Sequence, residues 1–396
     1  MKTVLRCRIF IGDPRSIATD IGVVMEGGFI SDVGDFGDVA ARTSGAQTRD
    51  FDGIICPALI NAHTHLELSP FKRVPHVDFV DWVLQLFAAR YSRLGDDLSV
   101  ECLKTKDEAE KQGTSYFVNV GNDFGLNGLL GKNQLFQFEQ IGINNDAADD
   151  IFNKAMSLAF GKGSVKTALA IHSPYSTSPA LMRRIKSFNN DRKAITSVHL
   201  AETIEEVEFV NSGKGRMVDL LNARVGLGKW CFGGTGLSPV EYVDSLGVLD
   251  DKTLCVHCVF VDRNDLEILR KRGCAVAVCV RSNRNLTGKV PDVARLMNMG
   301  IRVLLGTDSK ASSPDLDMFA EVSAFYGEFH SAVTPSDVLA MATVNAADFL
   351  GIGDRYGEIA PGKNASLVYA PFDGKPEDAI EFMVAEAKGK TEAVFC

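Results

Sequence analysis

Asn61-Ala62-His63-Thr64-His65 is the stretch on which the reading of the fold turns. It ends the apolar run Ile54-Ile55-Cys56-Pro57-Ala58-Leu59-Ile60, and together they read as a buried strand over Ile54 to Ala62. Residues i and i+2 of a strand point to the same side. His63 and His65 therefore leave one strand end side by side, as two ligands of a single divalent ion do, and imidazole suits zinc or iron. On its own the pair is also compatible with ordinary polar residues at a strand end.

Working outward, seven more apolar strands are predicted: Thr114 to Val120, Leu135 to Gln140, Thr167 to His172, Ile195 to His199, Thr253 to His257, Cys274 to Cys279 and Ile301 to Gly306. Amphipathic helices alternate with them, at Val77 to Arg90, Val100 to Gln112, Ala147 to Phe160, Pro179 to Asn189, Ile204 to Asn211, Arg263 to Lys271 and Val290 to Met299. Strand–helix alternation implies parallel βα units with right-handed crossovers. Eight strands in that pattern predict an α/β fold, a (β/α)8 TIM barrel. An open doubly wound sheet is the rival, but no Gly-x-Gly-x-x-Gly follows a strand. Both ends of the chain alternate short strands with glycine turns, as in Gly22-Val23-Val24-Met25-Glu26-Gly27-Gly28-Phe29-Ile30 and Gly357-Glu358-Ile359-Ala360-Pro361-Gly362-Lys363. These predict a small β-sandwich domain built from both termini. The expected boundaries are 1–55 and 357–396 for the sandwich and 56–356 for a metal-dependent hydrolase barrel. The glycine-rich stretch from Gly226 to Gly236 is expected to be a mobile loop over the barrel mouth.

Composition narrows the function. The 396 residues are 45% hydrophobic and 23% charged, as in an ordinary globular protein. A formal net charge of −9 argues against a nucleic-acid partner, which needs clustered Lys and Arg. No apolar run approaches the roughly 18 residues of a membrane span. Arginines interrupt the N-terminus too early for a secretory signal. The expectation is a cytoplasmic protein acting on a small-molecule substrate, with no nucleic acid and no membrane, and with a homodimer allowed. Nine cysteines make no disulfide framework. Cys56, Cys255, Cys274 and Cys279 lie inside apolar strands and read as buried thiols, and the Cys255–Cys258 C-x-x-C has no second pair.

Active sites of such barrels lie at the C-terminal strand ends, and ionisable residues collect there. Strand one ends in His63 and His65, strand five in His199-Leu200-Ala201-Glu202, strand six in His257, and strand eight runs into Gly306-Thr307-Asp308-Ser309. Four histidines and a carboxylate at convergent strand ends point to a metal site.

These motifs, with Arg281-Ser282-Asn283, Met341-Ala342-Thr343-Val344-Asn345-Ala346-Ala347 and the closing Gly357 to Lys363, resemble the amidohydrolase superfamily over almost the whole chain. The resemblance is to the branch of cytosine, guanine and adenosylhomocysteine deaminases and chlorohydrolases. It implies that His63, His65, His199 and Asp308 hold one divalent ion, Zn2+ or Fe2+, which acidifies water. It implies that Asp308 also accepts the water's proton and that Glu202 shuttles a proton to the ring nitrogen and the leaving group. His257 would stabilise the developing tetrahedral centre. Binuclear relatives carry a lysine at the end of strand four, whereas here that strand ends His172-Ser173-Pro174-Tyr175 and Lys166 lies at its other end. A mononuclear aminohydrolase follows, releasing ammonia and leaving a ring carbonyl.

For the substrate, His172 is similar to the histidine that contacts adenine nucleosides in such deaminases. Asn61 to Ser69 and Phe79-Val80-Asp81-Trp82-Val83 resemble the aminodeoxyfutalosine deaminases of menaquinone biosynthesis. That purine nucleoside carries a benzoate, for which Arg90 or Arg93 is the candidate; both are equally compatible with the surface. The acid that adenosylhomocysteine deaminases use for ribose has no clear counterpart near Tyr91. Ser282 and Asn283 are expected to line the base pocket, though Asn283 equally suits a helix cap. Glu67 faces either the pocket or a surface turn, and Trp82 either stacks on substrate or packs in the core. His76 and His330 are expected to be structural or surface residues. The alternatives are deamination of cytosine, guanine or adenosylhomocysteine, hydrolytic dechlorination, or a non-catalytic binding barrel. The last class tends to lose ligands, and here the set is complete.

Overall fold

The computed structural model describes residues 2–74, 78–160, 167–225 and 233–395. His76, Lys166 and the stretch 226–232 of the expected mobile loop lie outside the described residues.

Among the described residues, fourteen strands form two sheets. The first sheet comprises β1 (Lys2–Ile11), β2 (Ile17–Glu26), β3 (Phe29–Asp35), β4 (Gln47–Pro57), β13 (Ser366–Ala370) and β14 (Glu392–Phe395), in the order β14-β13-β4-β1-β2-β3. The second comprises β5 (Leu59–Thr64), β6 (Thr114–Gly121), β7 (Gln134–Gln140), β8 (Thr167–Ile171), β9 (Thr196–Leu200), β10 (Thr253–His257), β11 (Ala275–Val278) and β12 (Arg302–Leu305), in sequential order. This is the eight-stranded barrel, and the first sheet is built from both termini. The chain divides into two compact units, Met1–Ala62 with Lys106–Phe117 and Asp317–Cys396, and His63–Thr105 with Val118–Leu316.

One boundary differs from the sequence reading. The run Ile54 to Ala62 is two strands, not one. Its first part pairs within the terminal sheet, with Leu367 opposite Pro57 and Tyr369 opposite Ile55. Pro57 has no N–H to extend a ladder, and the chain changes partners there: the Ala58 N–H still reaches Ser366, while Leu59 donates to Gly113. The C-terminal section also holds a helix, Ala379–Ala385, which glycine-turn punctuation did not announce. In the terminal sheet, alternate residues Leu5, Cys7, Val23 and Met25 pack with Ile55 and Leu367, the period of two that half-buried strands require.

In the barrel, β7 through β12 pair in parallel register. The helices start on side-chain caps: Ser178 for Pro179–Asp191, Thr203 for Ile204–Ser212 and Asp262 for Arg263–Arg272. No described helix is long and apolar enough to cross a membrane.

The first and last strand ends meet. Thr64 and Asp308 form a parallel bridge, and the His63 carbonyl accepts from the N–H of both Thr307 and Asp308, each at 3.1 Å. Gly306 makes this approach possible, because a Cβ there would lie 2.8 Å from the His63 carbonyl oxygen and 2.9 Å from its backbone nitrogen. The Gly306→Ala variant should lose about 1–3 kcal/mol of stability, the cost of overpacking a closed site. Urea unfolding of metal-free protein checks this, and an unchanged midpoint would mean that the closure tolerates a methyl group.

Candidate active site

The barrel strands deliver their polar ends to one place. His63 and His65 come from the end of β5, His199 from β9, His257 from β10, and Asp308 from the turn after β12. The Nε2 atoms of His63 and His199 lie 3.2 Å apart, and those of His65 and His199 3.3 Å apart. Asp308 Oδ1 is 3.7 Å from His63 Nε2 and 3.6 Å from His65 Nε2. All four residues are buried. The three imidazoles offer ring nitrogens within 4.8 Å of one another, a group that could hold a metal ion, and a carboxylate oxygen of Asp308 lies beside them.

Surrounding bonds fix the directions of His199 and Asp308. The His199 Nδ1–H donates to the His172 carbonyl at 2.7 Å, which leaves the Nε2 lone pair for the cluster. Asp308 Oδ2 accepts from Ser282 Oγ at 2.6 Å and Ser312 Oγ at 2.7 Å, so Oδ1 remains for the ion. Burial lowers His65 to about 3, with His63 adding to the shift. Burial, with His63 next, holds His199 well below its ordinary value. Burial alone would raise Asp308, but the adjoining imidazoles of His63, His65 and His257 outweigh this and hold it low. His65, His199 and Asp308 are thus held in their unprotonated forms.

Glu202 and His257 adjoin the cluster. Glu206 holds the turn between them by accepting from the N–H of Ala201 at 2.8 Å and of Glu202 at 2.9 Å. Ala201 in turn accepts from the Phe260 N–H at 2.8 Å, which ties the ends of β9 and β10 together. Glu202 Oε1 then lies 3.5 Å from His257 Nε2. Burial, with the negative charges of Asp308 and Glu206, pushes the Glu202 carboxyl well up. Burial lowers His257 to about 4. His257 Nδ1 accepts from Asn283 Nδ2 at 3.0 Å, so the neutral ring carries its proton on Nε2. Four of the six described non-glycine residues with positive φ are here, namely Ala201, His257, Cys258 and Asp308. Strained backbone of this kind persists where the surroundings over-determine it, commonly at functional sites.

The expected substrate-pocket residues divide. His172 is at the site, its ring 5.3 Å from that of His199 and its Nδ1 held by Ser176 Oγ at 2.6 Å. Ser282 and Asn283 do not line a pocket: both are fully buried in the helix Val280–Leu286, where they orient Asp308 and His257. Asn283 is inside that helix rather than capping it. Glu67 does not reach the cluster either. Its carboxylate accepts from the N–H of Asn122 at 2.6 Å and of Asp123 at 3.0 Å, and pairs with Arg90 at 3.3 Å. Trp82 donates to the Ala311 carbonyl at 2.9 Å and packs against Leu68 and Phe71, pinning its helix to the loop after Asp308. Arg93 pairs with Asp96 and Glu101. His330 is a helix-end residue whose Nδ1 lies 3.3 Å from the Gly327 carbonyl.

Sequence reading missed Glu206, Ser312 and Glu139. Thr203-x-x-Glu206 has the spacing of a capping box and was a usable signal for the first. Glu139 is the penultimate residue of β7, between Phe138 and Gln140. It is buried, its Oε1 has no hydrogen-bond partner, and burial followed by the charge of Glu67 raises it to about 8.

The model of the Amidohydrolase family matches residues 54–396. The chain belongs to the Amidohydrolase family. It is a hydrolase of carbon–nitrogen bonds. This amidohydrolase is 28% identical over 382 residues to the 5-methylthioadenosine/S-adenosylhomocysteine deaminase of Syntrophobacter fumaroxidans, covering 91% of this chain and 82% of the relative. It is 28% identical over 373 residues to the 5'-deoxyadenosine deaminase of Methanothermobacter thermautotrophicus, covering 88% and 82%. Its fold resembles that of Helicobacter pylori aminofutalosine deaminase in complex with methylthio-coformycin, with a TM-score of 0.82, 22% identity, and coverage of 96% of this chain and 95% of that one.

The serine pair gives a test. Ser282→Ala with Ser312→Ala should weaken zinc affinity roughly tenfold to hundredfold, as loss of ligand-orienting bonds does. Chelator competition measures this, and wild-type affinity in the double variant would show that Asp308 needs no such support.

Proposed function

We propose that this amidohydrolase is a mononuclear metal-dependent deaminase that replaces the exocyclic amino group of an adenine nucleoside by a carbonyl and releases ammonia. Aminodeoxyfutalosine, of the menaquinone route, is the leading candidate substrate. The observation that carries the reading is the pairing of a buried, proton-holding Glu202 with a neutral His257 at 3.5 Å, beside the four converging donors. The deaminase relatives support the reaction, and the aminofutalosine deaminase likeness in fold supports the choice of nucleoside.

His63, His65, His199 and Asp308 would hold the ion. Bound there, Zn2+ or Fe2+ supplies hydroxide near neutral pH by lowering the pKa of water. The protein's own groups do the rest. Glu202 holds its proton near neutrality and delivers it to the ring nitrogen beside the amino-bearing carbon. The His257 Nε2–H is aimed to hydrogen-bond the oxygen on which charge develops. Asp308, held by two serines through Oδ2, keeps Oδ1 in place to receive the attacking water's proton. The new bond joins water's oxygen to the ring carbon and the bond to the amino nitrogen breaks. Glu202's proton ends on the ring nitrogen, one water proton restores Glu202, and the other leaves with ammonia. At the end of β8, where a bridging lysine would serve a second ion, the described residues are His172-Ser173-Pro174-Tyr175.

The test is ammonia release by zinc-loaded protein with aminodeoxyfutalosine, methylthioadenosine, adenosylhomocysteine, adenosine, cytosine and guanine. Turnover of adenine nucleosides, abolished by chelator, is expected. Turnover confined to cytosine or guanine would contradict the nucleoside assignment. Glu202→Gln should keep its metal and lose about 10²–10⁴-fold in kcat, whereas an unchanged kcat would remove Glu202 from the reaction.

A further inference from the structure

The turn that carries Glu202 is held from two sides. On one side the Leu200 carbonyl accepts from the Cys258 N–H at 3.0 Å and the Ala201 carbonyl from the Phe260 N–H at 2.8 Å, which ties the turn to the end of β10. On the other side Glu206 reaches back from the first turn of the helix Ile204–Ser212. Its Oε1 accepts from the Ala201 N–H and its Oε2 from the Glu202 N–H. The helix already has its cap, because Thr203 Oγ1 accepts from the Glu206 N–H at 3.1 Å. The glutamate of a capping box returns to the N–H of the cap residue itself. Glu206 extends one and two residues beyond it, onto Glu202 and Ala201.

This arrangement is costly. Glu206 is fully buried, and among the described residues no cation pairs with it. Burial pushes its carboxyl up to about 7, against the pull of the N–H groups of Ala201, Glu202 and Thr203. Ala201 has φ 50°, a left-handed conformation that a residue with a Cβ rarely adopts. A buried acid without a counter-ion and a strained turn persist where the surroundings over-determine them. What the turn gains is direction. It sends the Glu202 side chain back to the strand ends, buried, with Oε1 3.5 Å from His257 Nε2. Both oxygens of Glu206 are turned to the backbone, so it acts through Glu202 and does not touch the substrate. Its charge also adds, after burial and Asp308, to what keeps the Glu202 carboxyl up.

We propose that Glu206 is a positioning residue for the deamination: its buried carboxylate, bridging the N–H groups of Ala201 and Glu202, fixes the left-handed turn that aims the Glu202 carboxyl at His257 and the reacting ring. The inference rests on the deaminase reading above and deepens it.

The experiment places Glu206→Gln in the wild type and in Glu202→Gln, with metal content measured in all four proteins. Glu206→Gln leaves one acceptor oxygen where two N–H groups need one each. On methylthioadenosine and aminodeoxyfutalosine it should keep its zinc, hold KM within about twofold, and lose roughly tenfold to hundredfold in kcat, as a misplaced catalytic group does. In the Glu202→Gln background the same change should cost less than about twofold, because the group it aims is already gone. A second readout needs no substrate. The difference infrared spectrum of wild type against Glu202→Gln isolates the band of the protonated Glu202 carboxyl, and this band should shift or vanish when both proteins also carry Glu206→Gln. If Glu206→Gln does not fold, Ala201→Gly with Glu206→Gln is compared with Ala201→Gly alone, since glycine takes the left-handed turn without strain. An unchanged kcat, equal losses in both backgrounds, or an unmoved infrared band would overturn the assignment and leave the deaminase standing. A wild type silent on every adenine nucleoside would overturn the reaction reading, and the infrared band would still decide whether Glu206 holds Glu202.

Discussion

The backbone carbonyl of His63 is the hinge of the whole arrangement. By accepting from both Thr307 and Asp308 it joins the end of the first barrel strand to the turn after the last. Asp308 is then set within 3.7 Å of the imidazoles of β5. The Thr64 hydroxyl, donating to the Asp308 carbonyl at 2.9 Å, locks the same junction from the side-chain direction. In the proposed metal site a histidine pair on one strand supplies two donors, β9 supplies His199, and barrel closure brings in Asp308. The glycine at 306 and the positive φ at Asp308 follow from that need for close approach.

Burial does two opposite things within a few ångströms. It discharges the histidines, so His65 and His199 stand as neutral lone-pair donors. It also makes Glu202 and Glu139 hold protons that exposed carboxylates would shed. One dry strand-end environment thus yields both an unprotonated donor set and a proton carrier, without a cationic neighbour at either. Hydrogen bonds then select among these groups. Asn283 fixes the tautomer of His257, the His172 carbonyl fixes that of His199, and paired serines choose which oxygen of Asp308 is free.

Most of the barrel was legible because its signals are local. Apolar runs of four to eight residues alternating with amphipathic ones are visible in any window, and a histidine or aspartate just past such a run falls at a strand end. His63, His65, His199, His257 and Asp308 were all found in this way. The supporting residues were not, because their roles depend on distant partners. Ser282 is 26 residues from Asp308, and nothing local separates a hydroxyl that lines a pocket from one that braces a ligand. Glu67 and Trp82 were left open between two readings for the same reason, and Trp82 packs in the core, one of its two readings. The strand change at Pro57 was hidden in an unbroken apolar run, although proline's missing N–H was a sign of it. Glu139 stood in plain view at the end of a predicted strand, but a lone acid carries no motif.

The account's central claim is that a pre-formed cluster, with His65 and His199 already neutral, takes a single ion. Calorimetric titration of metal-free protein with zinc at pH 6, repeated in buffers of different ionisation enthalpy, measures both stoichiometry and protons released. The account predicts one ion per chain and almost no proton release from His65 and His199. Ordinary imidazoles would be largely protonated at that pH, and two of them would give up about one and a half protons. A second tightly bound ion, or release of more than one proton per ion, would contradict it.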